Sequence, residues 1–400
     1  MIEPRQDGPD ARGSAIFGKA LALPTAIMAV FAVFQSFGHF FLPIYFKEGL
    51  GFDGARIGGL FAALSLTSII SAFPIGLSSD RVAPKHLVTA SLLMTAAACS
   101  AMAAARSFPV FLAVFVVFGI SMNMLNIVLN AYLFKTAEAG DRSMKFGIFN
   151  AYKMIGFAMG MILGGVFLER LGFPAILLII AVASTVLILP GLYLPPVSIQ
   201  ASSLRKYGEE ILKPEPIYLF LWILLFTTHW GAENVSYSLF LKRELGLSLP
   251  QMGLYMTGEF AALVVVLLLL GRHYPKGSGV EALFMAGLVV SGAGHIGMTV
   301  HTVPLSFAFR IVHGIGDGVV MMTMFMGIAR LFKVERVGGH SSLVLLGTMV
   351  GGFVGSLVYG PITETLGYAF PLRASGIVIL VLVVVHLFWM RLRRSGETCQ

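Results

Sequence analysis

Twelve apolar stretches, each about long enough to cross a bilayer, constrain this chain more than any other feature. They run over roughly 21–46, 56–78, 87–105, 109–134, 146–168 and 174–194, and then 216–241, 252–271, 280–300, 304–331, 341–363 and 368–390. About 20 apolar residues span the hydrocarbon as a helix, and a helix satisfies its backbone polar groups within itself, as lipid demands. The spacing predicts an all-α membrane protein with twelve transmembrane helices. Composition agrees. Hydrophobic residues make up 57% of the 400 and charged residues 12%, against about 25% charged in soluble domains. The first stretch is too long for a signal-peptide core and reads as an uncleaved span.

The basic excess, formally +8, lies in short loops and tails, so it reads as membrane orientation and not as a nucleic-acid surface. Nineteen of the 28 Lys and Arg residues fall on the side holding both termini, the central linker and the loops after even-numbered spans. Seven fall opposite, and Lys153 and Arg310 lie within spans. The positive-inside rule predicts both termini in the cytoplasm and a multi-pass cell-membrane protein. The expected parts are a tail over 1–20, a six-helix bundle over 21–194, a cytoplasmic linker over 195–215, a second bundle over 216–390 and a tail over 391–400. Cys99 and Cys399 are too few for a disulfide framework or a metal site, and no cofactor is expected. A monomer in the lipid bilayer is expected.

Shifted by 195 residues, the sequence matches itself without gaps. Gly51, Gly58, Gly76, Gly119, Gly156, Gly160, Gly165 and Gly172 fall on Gly246, Gly253, Gly271, Gly314, Gly351, Gly355, Gly360 and Gly367. Glycines let helix backbones approach closely, so shared spacing predicts two pseudo-symmetric six-helix bundles. Parallel repeats of this kind suit alternating access, with a site between the halves at mid-membrane.

The loop after the second stretch reads Gly76-Leu-Ser-Ser-Asp80-Arg81-Val-Ala-Pro-Lys85. This resembles the signature loop of the major facilitator superfamily, a Gly, then an Asp, then Arg and further basic residues, though Ala83 and Pro84 depart from it. The resemblance implies the twelve-helix fold of that family and a role for Gly76, Asp80, Arg81 and Lys85 as a conformational latch on the cytoplasmic side. The tenth stretch, with Arg310, His313, Gly314, Gly316 and Asp317, is similar to an Arg-x-x-x-Gly-x-Gly motif that the family carries on its fourth helix. Here Phe115 holds the equivalent place. Its basic–His–acid spacing is also similar to that of sugar–proton symporters. Gly156, Gly160, Gly164 and Gly165 resemble the motif of drug–proton antiporters, with Met161 in place of its proline.

A charge at the bilayer centre costs about 2.5–3.5 kcal/mol on insertion scales, so several together need partners, water or a function. His229 and Glu233 share a helix face, Asn234 adjoins them, Glu259 lies on the eighth stretch, and Arg310, His313 and Asp317 line one face of the tenth. In the amino half stand Gln35 and His39, then Asn123 and Asn126, then Lys153. These faces are expected to meet around a central aqueous cavity. Glu233, Glu259 and Asp317 are the candidate proton carriers, with His229 and His313 as relays and Arg310 as the modulating charge. Gln35, His39, Asn123, Asn126, Lys153 and Asn234 are the candidate substrate contacts. Arg310 as a structural partner of Asp317 or Glu259 is the competing reading, as is interhelical bonding for the asparagines.

The expected function is secondary active transport of a small polar or amphiphilic organic solute by alternating access, proton-coupled and with symport favoured over antiport efflux of drugs or metabolites. A lipid scramblase or sensor on the same scaffold is the further alternative. An enzyme is not expected, since neither a His-Glu-x-x-His pattern nor a nucleophile elbow occurs.

Overall fold

The structure, a computed structural model, describes residues 19–137, 141–197, 213–275, 277–331 and 337–397, with the side chains at 19–20, 39, 54–55, 278, 329, 331, 337–345, 364 and 389–397 outside that description. Most of the expected amino-terminal tail and central linker, the carboxyl end and the side chain of His39 thus lie outside the described residues.

Among the described residues the chain forms twelve helices and no strand. In the amino half these are α1 (Lys19–Phe40, prolonged by Leu42–Ile44 and Tyr45–Gly49), α2 (Gly54–Ser79), α3 (Pro84–Ala104), α4 (Phe108–Thr136), α5 (142–171) and α6 (173–192). In the carboxyl half they are α7 (Pro214–Ala232, prolonged by Glu233–Tyr237 and Phe240–Glu244), α8 (Leu249–Arg272), α9 (Ser278–Gly297), α10 (Val303–Leu331), α11 (Val337–Leu366) and α12 (Ala369–Glu397). Ten described segments are apolar and long enough to cross a membrane; one of them, Arg142–Leu192, bends at Gly172 into α5 and α6, and α7 stands outside that set. Large apolar side chains such as Ile70, Val182, Val384 and Phe388 face outward, more than 60% exposed, which suits a perimeter in hydrocarbon.

Local chemistry repeats at the 195-residue spacing. Asp53 caps α2 by accepting from Arg56 N at 2.8 Å, and Ser248 caps α8 in a capping box with Gln251. At the far ends of α1 and α7 the last turn widens, with Leu50 N bonding Tyr45 O at 3.0 Å and Leu245 N bonding Phe240 O at 3.1 Å. Gly51 and Gly246 then leave at φ 67° and 68°, a left-handed conformation that glycine adopts without a Cβ penalty.

Helix pairing repeats as well. Gly156 and Gly160 of α5 lie on the carbonyls of Ala29 and Val33 of α1, while Gly351 and Gly355 of α11 lie on those of Leu224 and Thr228 of α7. A methyl group added at Gly119 of α4 would stand 2.8 Å from Leu64 O of α2, and one at Gly314 of α10 would stand 2.7 Å from Glu259 O of α8. Every partner is displaced by the same 195 residues, so the sequence repeat is a repeat of backbone contacts. The halves meet along α5 and α8 and along α2 and α11. Gly147 packs on Leu267 and Gly271 toward the end holding the loop after α2, and Gly165 packs on Leu249 and Pro250 toward the other. At that other end Glu48 of α1 and Lys242 of α7 pair across the halves at 2.5 Å.

Candidate functional site

Between the halves lies a cavity of about 430 Å³. The amino half contributes Gln35 of α1, Asn123 and Asn126 of α4 and Lys153 of α5, and the carboxyl half contributes Glu233 and Asn234 of α7, Glu259 of α8 and Arg310 and Asp317 of α10. Nine of the polar residues singled out from the sequence therefore share one wall system. His229 and His313 do not line it. They are fully buried behind the carboxylates.

The amino-half wall is a chain of neutral amides ending in one cation. Lys153 Nζ donates to Asn126 Oδ1 at 2.8 Å, and Asn126 Nδ2 donates to Met122 O at 2.9 Å and Gln35 Oε1 at 3.3 Å. Among the described residues no carboxylate pairs with Lys153. Asn123 donates to Ser68 O at 2.8 Å and to Ser71 Oγ at 3.3 Å, so it ties α4 to α2 while lining the cavity.

The carboxyl-half wall is ionic. Arg310, 1% exposed, donates to both oxygens of Glu233 and pairs with Glu259. Its guanidinium lies 4.3 Å from the centre of the Tyr237 ring, a cation–π contact. Spacing explains the convergence. Positions 310, 313 and 317 share one face of α10, and α7 widens into a π turn over Glu233–Tyr237. Arg310 is thus committed to Glu233 and Glu259, while Asp317 pairs with histidines, and His313 bridges it to Glu233. Asp317 accepts from Ser291 Oγ at 2.6 Å and Trp230 Nε1 at 3.3 Å and lies 3.2 Å from His229 Nε2.

Bond direction fixes proton positions in this group. His229 Nδ1–H donates to Phe226 O at 2.6 Å, and His313 Nδ1–H donates to Ser291 O at 3.0 Å, since a carbonyl only accepts. The Nε2 atoms then face Asp317 at 3.2 Å and Glu233 at 3.5 Å. A proton shared between an imidazole and a carboxylate at such a distance would form a charge-assisted hydrogen bond. Three carboxylates stand against one arginine on this wall, an excess of two negative charges before any proton is counted.

The sequence reading missed His295 of α9. It is fully buried, 4.6 Å from the His313 ring, bonded to Ser375 at 2.9 Å and 3.6 Å from Glu233. As a lone histidine with Ser100 at the equivalent place it had no helical partner to mark it. Trp230 and Tyr237 were likewise hidden among apolar neighbours. In the amino half the places equivalent to His229, Glu259, Arg310, His313 and Asp317 are Phe34, Leu64, Phe115, Phe118 and Met122, and Phe115 belongs to an aromatic core with Phe46 at 5.5 Å. The same scaffold position holds rings in one half and charges in the other.

The loop after α2 lies away from the cavity. Asp80, fully buried, pairs with Lys135 of α4 at 2.8 Å, and Lys135 also donates to Ser79 O at 2.7 Å. This pair joins α2 to α4 within the amino half, while Arg81 and Lys85 are exposed.

No curated protein matches the sequence. Among solved structures, the human organic anion transporter MFSD10 (TETRAN) is similar at TM-score 0.67 and 17% identity, over 94% of this chain and 99% of that one. The nucleoside transporter NupG, solved as a point mutant, is similar at TM-score 0.71 and 16% identity, over 92% of this chain and 98% of that one. The family model of the Major Facilitator Superfamily matches residues 25–237 and 219–399. Nearly the whole chain is covered, and the twelve-helix, two-bundle architecture agrees, so the chain belongs to the major facilitator superfamily of transporters.

Proposed function

We propose that this transporter moves a small organic solute bearing an anionic group, coupled to protons, by alternating access in the cell membrane with both termini in the cytoplasm. The observation that carries the reading is the imbalance between the two walls. One presents a lysine that, among the described residues, hydrogen-bonds a neutral amide and pairs with no carboxylate, and the other gathers three carboxylates and three histidines near Arg310. An anionic group on Lys153 gains a charge-assisted hydrogen bond. One structural relative is titled an organic anion transporter, a substrate class that such a lysine fits.

Protons enter because the ionic wall is balanced only when it holds them. A state open to water and a state closed to it hydrate Glu233 and Asp317 differently, so each state has its own proton affinity. Proton binding therefore shifts the balance between the two. Symport is the favoured direction, since an anion and a proton together cross without net charge. Opposite the Glu48–Lys242 contact, the loop over 76–85 acts as the latch, with Asp80 anchored on Lys135. Uptake into proteoliposomes under an imposed pH gradient tests the reading. Symport accumulates an organic anion on the alkaline side, antiport depletes it there, and a flux indifferent to the gradient rejects proton coupling.

A further inference from the structure

We infer that a second, apolar pocket in the carboxyl half receives the tail of the substrate, so that the preferred solutes are elongated amphiphilic anions. This rests on the anion reading above and adds a second subsite to it. The pocket, about 190 Å³, lies among α7, α9, α10 and α12. Trp230, Met321 and Met324 line both it and the central cavity, so a single layer of side chains separates the two spaces. Two of the three are methionines, whose unbranched thioethers repack readily. Trp230 is held by its bond to Asp317, which ties the partition to the ionic wall.

Beyond the partition the lining suits hydrocarbon. Trp222 packs edge-on to Phe284 at 5.2 Å, with Phe226 and Val320 beside them. Apolar cavities of roughly 150 Å³ hold a benzene ring. Thr227, Thr323, Tyr274 and Arg330 also border the pocket, and His386 offers it a polar atom. His386 bonds Tyr218 Oη through Nδ1 at 2.5 Å, while its buried Nε2 has no hydrogen-bond partner among the described residues. The head of such a solute sits on Lys153 in the cavity and its tail passes Trp230 into this space.

Binding of ω-phenyl carboxylates, from phenylacetate to phenyloctanoate, to the purified full chain tests the inference by calorimetry. Affinity is expected to rise about fourfold per methylene over the members long enough to pass the partition. In Gly327→Leu that rise is expected to vanish, because a Cβ there meets nothing nearer than Leu219 at 3.4 Å and the side chain is free to fill the pocket. Val320→Phe fills it from another wall should the first variant fold poorly, and the wild-type length series stands without either. Lys153→Met weakens every member while keeping the slope. Binding without any length dependence, or a slope that survives both filling variants, would overturn the tail subsite and leave the anion reading intact. Failure of every carboxylate to bind would overturn both.

Discussion

A guanidinium 1% exposed inside a membrane span persists only with its charge matched, and Arg310 has Glu233 and Glu259 upon it. Removing one partner of a buried pair leaves an uncompensated charge and costs about 3–5 kcal/mol. Arg310→Met strands two carboxylates and is expected to lower the melting temperature of the detergent-solubilised protein sharply. Glu233→Gln is milder, since Glu259 still balances Arg310. It is expected to yield folded protein whose flux no longer follows the pH gradient, and a gradient-driven flux equal to wild type would remove Glu233 from the coupling. The face of α10 that carries Arg310, His313 and Asp317 was legible in the sequence because three and four residues make a helical turn. Of their partners, only Glu259 was legible, as one of two candidates for Arg310. Pairing of Arg310 with Glu233 instead of Asp317, and the arrival of His295 from α9, depend on how helices pack, which spacing within one helix does not encode.

At the scale of the helices, hydropathy placed the spans but left their ends off by several residues, as at 368–390 against Ala369–Glu397, and glycine spacing sufficed for the repeat. What the glycines touch was not legible. The structure places Gly160 on Val33 of α1 and Gly355 on Thr228 of α7, positions 195 residues apart in both pairs. Because the two contacts are equivalent, Gly160→Leu and Gly355→Leu are expected to destabilise the fold alike. Overpacking costs about 1–3 kcal/mol, read as matched losses in thermal stability. A loss confined to one variant would contradict the equivalence of the two helix pairs. The loop after α2 shows the same limit of sequence reasoning. Its residues were recognisable, yet the buried Asp80–Lys135 pair within one half is a product of α2 meeting α4.

At the scale of the molecule, two bundles with matching backbone contacts enclose a cavity whose walls differ in chemistry. In the proposed mechanism the shared architecture lets the two halves rock against each other, and the difference between the walls assigns protons to one half and the solute to the other. The Glu48–Lys242 contact crosses the halves at one end. Cysteines in place of these two residues are expected to be joined by a short crosslinker, and the joined protein is expected to lose flux until the linker is cleaved. Full flux through the linked protein would contradict rocking. The central claim is that protons on the α7–α10 wall bias which arrangement of the halves is populated. Spin labels at positions 48 and 242, measured by pulsed distance spectroscopy as pH is lowered, test it most directly. The account predicts two distances whose proportions change with pH and become insensitive to it when Glu233→Gln and Asp317→Asn are combined. A single distance unmoved by pH, or a shift that persists in that double variant, would contradict it.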